Sequence, residues 1–500
     1  MLETLALLGQ GFLDCLTLVN IFCAIVGCLL GSLIGVLPGL GISGTVAILL
    51  PITYGMEPLS ALIMISGIYF GSQYGGAITS ILVNIPGEST SIVTCFDGHP
   101  LATQGKAGKA LCTASISSFC GGAIGMIGLT FAASALAKVA LGFGKVEFFA
   151  IVVFGLILLT SISGKNQLKG LIVVCLGVIL GCVGLDDLYG TLRFTYGIVD
   201  LYKGISFVTF IMGVYGITEL LKAICVPEEQ GKVMEFRMRD QYLNKQDVKQ
   251  IWKTVLRCSV LGFGVGLVPG AGSTLATFFA YGMERSLSKH PEQFGTGLLE
   301  GVAAPEAANN AAMYAGMVPL LSLGLPFTSS MALLMSAFIV HGITPGPLFI
   351  SENPALFWGL IASMFIGNIL LLIINLPLVG IWASLLKVDF NILMPLITFI
   401  TFAGGYAINY SVFDMGLMIV CGFVGFFMSA CGYNMAALAV GLFLSSTLEN
   451  SFLGTMTLYH GNLLAALIDR PLAAIILGVA LIAFAISISK SLMQYFKKKK

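Results

Sequence analysis

The amino-acid sequence predicts an all-α, polytopic integral membrane protein. Only 10% of its 500 residues are charged, whereas about 25% are charged in a typical soluble domain. Hydrophobic residues make up 57% of the chain, and many lie in runs of about 20, the length of helix that crosses a bilayer. So few polar groups cannot cover a water-exposed surface of this size. The composition therefore excludes a soluble enzyme, a nucleic-acid-binding protein and a disordered scaffold. It predicts that much of the protein surface faces the lipid bilayer.

One polar segment divides the apolar sequence. Residues 226–257 contain more Lys and Arg than Asp and Glu, so the positive-inside rule places this segment in the cytoplasm, together with the basic tail 497–500. We divide the chain into a first membrane repeat (1–225), a charged linker (226–250) and a second membrane repeat with additional C-terminal helices (251–500). The apolar runs predict about 11 to 14 membrane segments. They lie near residues 14–37, 60–83, 110–137, 146–163, 168–185, 204–225, 255–281, 311–340, 355–386, 390–408, 412–430, 433–447 and 471–492.

The two halves share motifs in the same order, which predicts an internal duplication. The matching segments are 31–41 with 262–272, 54–57 with 281–284, and 84–87 with 324–327, at offsets of 231, 227 and 240 residues. Basic residues flank the second copies but not the first, so we expect the two copies to be oppositely oriented in the membrane. Inverted repeats of this kind are typical of secondary transporters.

The first pair of motifs predicts broken helices within the membrane. Pro followed by Gly cannot continue a helix, and the free N–H groups of a new helix start favour an anionic ligand. Basic residues at both ends of 258–284 favour a re-entrant hairpin there, with a single kinked span as the alternative. A simple helix kink is the non-functional interpretation. The substrate-binding candidates here are Pro38, Gly39, Gly41, Ser43, Gly270, Gly272 and Ser273, and Thr274 adds a further hydroxyl.

The second pair of motifs places hydroxyl groups after a Pro at a predicted helix start. This is a second candidate anion site, with an ordinary N-cap at the membrane surface as the alternative. Its substrate-binding candidates are Asn84, Pro86, Gly87, Ser89, Pro326, Thr328 and Ser329.

A third stretch, 303–312, places a carboxylate and two amides within small apolar residues. An ionisable group at membrane depth indicates function by default, with an interhelical polar contact as the alternative. Asn309 and Asn310 are substrate-binding candidates, and Glu306 and Glu88 are candidates for the coupling ion.

Several kinds of site are not expected. The 12 Cys form no C-x-x-C pair, and the sequence has neither a G-x-x-x-x-G-K-[ST] loop nor an H-E-x-x-H motif. We therefore predict no catalytic residue, no metal site and no bound cofactor. Two alternatives to a transporter stay open: an ion or anion channel that needs no binding protein, and an intramembrane enzyme, which would need a catalytic His or a carboxylate pair.

These motifs give the sequence a family resemblance. It resembles the large membrane (permease) subunit of the tripartite tricarboxylate transporters. The segments that carry the resemblance are 37–41, 67–76, 84–88, 287–292, 300–310 and 341–347. One departure is Phe327, which follows Pro326 where Gly is expected.

The resemblance implies secondary, cation-coupled uptake across the bacterial cytoplasmic membrane. The implied substrates are citrate-like tricarboxylates or other small organic carboxylates, carried in symport with Na⁺ or H⁺. The implied partners are a small membrane subunit and an extracytoplasmic solute-binding protein.

Overall fold

The computed structural model describes residues 2–37, 41–162, 167–186, 189–225, 242–268, 272–385 and 390–498. The described residues are 83% helical. Within the described residues the strands are a two-residue pair, Gly184–Leu185 antiparallel to Leu192–Arg193. The predicted all-α, polytopic membrane fold is confirmed.

Among the described residues, ten α-helices precede the linker. They are α1 (Leu2–Cys15), α2 (Leu18–Gly35), α3 (Gly41–Leu49), α4 (Pro58–Val83), α5 (Ile92–Leu101), α6 (Ala107–Ala140), α7 (Lys145–Ile162), α8 (Gln167–Gly181), α9 (Phe207–Ile211) and α10 (Thr218–Cys225). Short turns of 3-10 helix lie at Leu50–Thr53, Ser89–Ser91 and Val199–Lys203, and turns of π-helix at Ala102–Lys106 and Met212–Ile217.

In the part of the chain that the structure describes, twelve α-helices follow the linker. They are α11 (Lys245–Gly266), α12 (Gly272–Leu287), α13 (Leu299–Leu323), α14 (Ser329–Val340), α15 (Phe349–Glu352), α16 (Pro354–Asn375), α17 (Val379–Leu385), α18 (Phe390–Asn409), α19 (Val412–Ala430), α20 (Met435–Leu458), α21 (Leu463–Asp469) and α22 (Pro471–Lys498). A 3-10 turn lies at Pro291–Gln293.

Among the described residues, five helical stretches are long and apolar enough to cross a membrane. They are Leu18–Gly35, Ser89–Ala140, Pro354–Asn375, Val412–Ala430 and Met435–Leu458, and the bent pair Leu463–Asp469 and Pro471–Ala485 adds a sixth if it counts as one span. Shorter apolar helices also occur, for example Gln167–Gly181 and Ser329–Val340. The total of 11 to 14 segments stays a prediction.

The two halves repeat one local architecture. In each half two helices flank a Pro-Gly segment, namely α2 with α3 and α11 with α12. A long buried helix follows, α4 in the first half and α13 in the second. Helix α4 ends at Asn84 (φ 62°, ψ 24°) and α13 ends at Gly324 (φ 70°, ψ 24°), both left-handed. A Pro-containing loop then leads to α5 or α14.

Glycines let the helices approach closely at equivalent places in the two halves. A Cβ atom added to Gly31 in α2 would lie 2.3 Å from the Ile68 carbonyl oxygen of α4. A Cβ added to Gly262 in α11 would lie 2.3 Å from the Ala308 carbonyl oxygen of α13. Such distances leave no room for a side chain, so these glycines fix how each flanking helix packs on its central helix.

Candidate functional site

Three of the predicted site residues, Pro38, Gly39 and Gly270, lie outside the described residues. The positions next to them are described. Gly41 begins α3, and Gly272 begins α12 with a φ of +60°, a conformation that glycine adopts without strain. Helices α11 and α12 pack against each other on either side of 269–271.

Two pairs of hydroxyl groups join the halves of the chain. Ser43 at the start of α3 donates to Ser329 at the start of α14, with 3.3 Å between the two Oγ atoms. Ser89 and Thr274 meet with 3.1 Å between Oγ and Oγ1. The four segments that were predicted separately from the sequence therefore converge in the structure.

The two hydroxyl pairs are reciprocal. Ser43 and Thr274 are equivalent at the offset of 231 residues, and Ser89 and Ser329 are equivalent at the offset of 240. Each pair thus joins the Pro-Gly segment of one half to the Pro loop of the other. Reciprocal contacts of this kind are what a two-fold relation between two copies produces.

The Pro loop of the first half is pressed against the central helix α4. A Cβ added to Gly87 would lie 2.5 Å from the Cα atom of Gly76, so a glycine is needed for this approach. Pro86 keeps the loop from continuing the helix. Glu88 then caps the next turn, since its side chain accepts from the backbone N–H of Ser91 and the Ser91 hydroxyl accepts from the Glu88 N–H.

The Pro loop of the second half is anchored differently, which explains the departure at Phe327. This ring is 5% exposed and packs on Gly155 of α7, where an added Cβ would lie 2.3 Å from the ring. Pro326 is buried. Thr328 caps α14 by accepting from the Met331 N–H at 3.3 Å, and its methyl group would contact a Cβ added to Gly272 at 3.8 Å. Both loops therefore lead into a helical turn, but the N-cap residue is Glu88 in the first half and Thr328 in the second.

A buried amide bridge connects the two central helices. Asn309 of α13 donates through Nδ2 to Gln73 Oε1 of α4 at 2.7 Å. Thr90 donates to the same oxygen at 3.5 Å and to Glu88 Oε1 at 2.5 Å. Gln73 and Asn309 are each 2% exposed. Within the described residues, Gln73 Nε2 and Asn309 Oδ1 have no hydrogen-bond partner, so the bridge retains one free donor and one free acceptor.

Glu306 occupies a separate hydroxyl cage. It is 2% exposed, and its carboxylate accepts from the Thr94 hydroxyl at 2.6 Å and from the Ser118 hydroxyl at 2.9 Å. These bonds join α13 to α5 and α6. Asn310 donates to the Glu306 backbone carbonyl at 3.1 Å and so bonds within its own helix. The two adjacent amides, predicted together as substrate ligands, therefore have different surroundings.

A buried carboxylate also ties α5 to the loop before α13. Asp97 is 0% exposed and accepts from the backbone N–H groups of Gly295, Gly297 and Leu298 at 2.8 to 3.0 Å. The Tyr281 hydroxyl donates to Asp97 at 2.8 Å. Because the donors come from the second half and Asp97 from the first, this contact holds the two halves together beside the site.

Two ion pairs of the described residues involve α11. Lys109 and Asp247 form an ion pair at 2.8 Å, and Arg257 and Glu284 form another at 2.7 Å. Burial of Asp247 raises the pKa of its carboxyl, but the hydrogen bonds from Lys109 and the Asn244 backbone outweigh this and hold that pKa below its ordinary value. The ion pairs of the described residues do not include Glu88 or Glu306.

Sequence reasoning missed several residues of this arrangement. Gln73 lies in α4 between Gly71 and Gly75, and both of these glycines pack against backbone atoms of α2. The side-chain amide of Gln73 lies within an apolar helix, which is the same kind of signal that identified Asn309 as a candidate. Thr90, Thr94 and Ser118 carried no such signal, since hydroxyl groups are common in membrane helices.

Comparison with known proteins identifies the family. Residues 21–440 match the family described as tripartite tricarboxylate transporter TctA. The chain belongs to this family. It is 44% identical over 492 residues to an uncharacterized 52.8 kDa protein in the TAR-I ttuC' 3' region of Agrobacterium vitis, with 98% of each chain covered. It is 43% identical over 228 residues to an uncharacterized protein in the TAR-II ttuC' 3' region of the same organism, which covers 46% of this chain and 94% of the relative. No solved structure matches.

Membership of the TctA family settles the class of the protein. It is a multi-pass membrane transporter and not an enzyme, so the intramembrane enzyme is excluded. The family is tripartite, which implies partner subunits such as a solute-binding protein and a small membrane subunit.

Proposed function

We propose that this TctA-family chain is the large transmembrane subunit of a binding-protein-dependent transporter that takes up tricarboxylates or other small organic carboxylates together with a cation. Its partners are a small membrane subunit and an extracytoplasmic solute-binding protein. It resides in the bacterial cytoplasmic membrane, with the linker 226–250 and the basic tail in the cytoplasm. The coupling ion is Na⁺ or H⁺.

The observation that supports this proposal best is the pair of reciprocal hydroxyl contacts, Ser43 with Ser329 and Ser89 with Thr274. Two helix starts and two Pro loops meet there, and free N–H groups and hydroxyls at helix starts suit a carboxylate. Basic residues flank the second Pro-Gly motif but not the first. This difference and the reciprocity of the hydroxyl contacts favour inverted repeats that meet at the binding site. The candidates at 38–43, 84–89, 270–273 and 326–329 form one substrate site in this proposal.

Transport then proceeds by alternating access. The two hydroxyl pairs lie between segments of different halves, so a rigid movement of the site region changes which side of the membrane they face. We expect an elevator-like displacement of this region relative to the remaining helices. Cation binding at Glu88 or Glu306 offsets the negative charge of the substrate, since the ion pairs of the described residues place no Lys or Arg beside these groups.

Removal of one hydroxyl from each pair tests the site. Ser89→Ala and Ser329→Ala should each lower uptake of radiolabelled citrate by about tenfold or more, because a hydrogen bond to a charged group contributes roughly 1.5 to 3 kcal/mol. Since the two serines are equivalent in the repeats, the two losses should be similar. Uptake is measured in cells that express the chain with both partner subunits and is normalised to the amount of chain in the membrane.

Ser286→Ala is the matched control. Ser286 is exposed and donates to a carbonyl within its own helix, so this variant should transport like the wild type. Wild-type uptake in both Ser89→Ala and Ser329→Ala would contradict the site. Citrate flux that needs neither a cation gradient nor the solute-binding protein would favour the channel instead.

A further inference from the structure

The contacts between the central helices α4 and α13 are reciprocal, but the polar groups that form them differ between the two halves. Gln73 bonds to Asn309 at 2.7 Å, and Tyr69 bonds through its hydroxyl to the Met313 sulfur at 3.2 Å. At the offset of 240 residues, Tyr69 corresponds to Asn309 and Gln73 corresponds to Met313. The same two-fold relation therefore produces one amide–amide contact and one contact of a Tyr with a thioether.

The carboxylate near the hydroxyl pairs lies in the first half of the chain and has a neutral equivalent in the second. Glu88 begins the turn after the first Pro loop, and its equivalent at the offset of 240 residues is Thr328. Glu88 is the direct neighbour of Ser89, which meets Thr274. An acid thus adjoins one hydroxyl pair, whereas a neutral Thr adjoins the other.

Glu88 lies between an exposed residue and the buried amide bridge. Glu88 is partly exposed, and Ser89 beside it is exposed. One carboxylate oxygen of Glu88 accepts from the Thr90 hydroxyl at 2.5 Å, and the Thr90 hydroxyl oxygen lies 3.5 Å from Gln73 Oε1. Glu88 is therefore next to the exposed Ser89 and is connected to the interior through Thr90.

The helices that contact the turn after Glu88 carry two basic side chains, His99 of α5 and Arg285 of α12, and within the described residues neither forms an ion pair with Glu88. The other titratable groups on these helices are Tyr69 and Tyr74 of α4, Cys95 and Asp97 of α5, Tyr281 and Glu284 of α12, and Glu300, Glu306 and Tyr314 of α13. Tyr281 bonds to Asp97, and Glu284 bonds to Arg257. Lys, Arg and His of the described residues form no ion pair with Glu88. An ionised Glu88 therefore repels an anionic substrate at Ser89, and neutralisation of Glu88 removes that repulsion.

A proton fits this environment better than a metal ion. Hard metal ions are surrounded by oxygen acceptors, whereas the groups bonded to the Glu88 carboxylate are donors, the Thr90 hydroxyl and the Ser91 N–H. A hydroxyl group can reverse its role and accept from a protonated carboxyl. A proton therefore binds without any rearrangement of ligands.

The amide bridge supplies a second, independent observation. Gln73 Nε2 and Asn309 Oδ1 are buried without partners, and unpaired buried polar atoms cost about 1 to 3 kcal/mol each. The free donor can bond to a substrate carboxylate, and the free acceptor can bond to a protonated group. Within the described residues, the bridge next to Thr90 therefore retains a donor and an acceptor that no protein group satisfies.

We propose that Glu88 carries the coupling proton, and that its protonation permits an anionic substrate to bind at Ser89 and Thr274. The proposal rests on the proposed carboxylate transport. A proton from water forms an O–H bond with a Glu88 oxygen, and the Thr90 hydroxyl then accepts from it. After the movement the substrate leaves, and Glu88 returns the proton to water on the other side. Glu306, enclosed by Thr94 and Ser118, holds helices together instead.

Substitution of Glu88 by Gln separates exchange from accumulation. In proteoliposomes that contain the full chain and both partner subunits, Glu88→Gln mimics the protonated acid. It should still exchange internal for external radiolabelled citrate, and this exchange should lose its pH dependence. Accumulation driven by a pH gradient should fall by roughly 5- to 150-fold, the usual range of coupling between two sites. Glu88→Asp, which keeps a carboxyl group, should retain pH-driven accumulation.

Glu57→Gln is the matched control, because Glu57 also caps a helix through its side chain but is exposed and lies outside the site. It should behave like the wild type. The proposal is overturned by wild-type accumulation in Glu88→Gln or by loss of exchange together with accumulation. Wild-type accumulation that follows a Na⁺ gradient and ignores a pH gradient also overturns it.

An infrared titration separates this proposal from the proposed function. If the wild type transports neither citrate, malate nor tartrate, the carboxylate function fails. The acid-minus-alkaline infrared difference spectrum of the purified chain still reports on Glu88. A carboxyl band that is present in the wild type and missing in Glu88→Gln supports proton binding at this residue, and identical spectra contradict it.

Discussion

Asn309 and Asn310 are adjacent in the sequence and bond to different groups. Asn309 reaches across to Gln73 of the other half, whereas Asn310 bonds to the Glu306 carbonyl one turn earlier in its own helix. Both side chains are 2% exposed. Only the Asn309 contact joins the two halves of the chain, so the two amides should differ in their importance for transport.

Asn309→Leu should abolish citrate uptake while the chain still reaches the membrane. The substitution removes the donor to Gln73 Oε1 and the free acceptor of the bridge, and a loss of about 1.4 kcal/mol already lowers binding tenfold. Asn310→Ala should reduce uptake much less, because the helix carbonyl that it bonds already accepts within the helix. Uptake per amount of membrane-inserted chain is the measurement, and equal losses in the two variants would contradict the different roles.

The sequence was sufficient to select the residues of the hydroxyl pairs but not to find their partners. Ser43, Ser89 and Ser329 follow Pro motifs that break helices, which is a local signal. The bond between Gln73 and Asn309 joins positions 236 residues apart, and no local pattern contains such a contact. Contacts between residues distant in sequence, such as those of Thr94 and Ser118 with Glu306, are visible only in the structure.

At the scale of elements, the packing of α11 on α13 depends on glycines of one helix face. A Cβ added to Gly266 would lie 2.4 Å from the Ala312 carbonyl oxygen, whereas a Cβ added to Gly264 meets nothing within 4 Å. The two glycines lie two residues apart on the same helix and so face different surroundings. Small residues at helix contacts in a membrane allow this close approach.

Gly266→Ala and Gly264→Ala therefore form a matched pair. Gly266→Ala should separate α11 from α13 and lower the melting temperature of the detergent-solubilised chain, together with uptake. Gly264→Ala should leave both unchanged or raise the melting temperature slightly, because Ala stabilises a helix over Gly by roughly 0.5 to 1 kcal/mol. Equal melting temperatures for the two variants would show that the close contact does not limit stability.

Element boundaries were predictable where the chain carries Pro and Gly and less so elsewhere. The left-handed ends of α4 and α13 precede Pro86 and Pro326, as the motifs indicate. The run near 110–137 lies within α6 (Ala107–Ala140), and a kink at Gly105 (φ +76°) separates α6 from α5. An apolar pattern does not indicate the position of such a kink.

At the scale of the whole molecule, the site is built around two buried helices, α4 and α13, with the later helices outside them. Helix α20 packs on α7 and α8, and α22 packs on α7. The sequence predicts these later helices from their apolar runs but not their neighbours, because apolar faces in lipid carry no directional signal. The reciprocal contacts within the core, in contrast, follow the duplication visible in the sequence.

The orientation of the two halves is the remaining prediction at this scale. Glu57 and Arg285 border the duplicated Tyr-Gly-Met-Glu segments and are both exposed. Inverted repeats place these segments on opposite sides of the membrane, with Arg285 in the cytoplasm. Parallel repeats would place both on one side. The exposed native cysteines Cys175, Cys225 and Cys431 are replaced by Ser in the background for this test.

In that background, Glu57→Cys should react with a membrane-impermeant maleimide added to intact spheroplasts, and Arg285→Cys should react only after the membrane is permeabilised. Loss of the Glu57 cap costs about 1 kcal/mol, which leaves the membrane fold intact. Lys245→Cys, at the exposed start of α11 next to the linker, should label like Arg285→Cys and marks the cytoplasmic side. Labelling of Glu57→Cys and Arg285→Cys from the same side would exclude inverted repeats, and the reciprocal hydroxyl contacts would then require a two-fold axis perpendicular to the membrane.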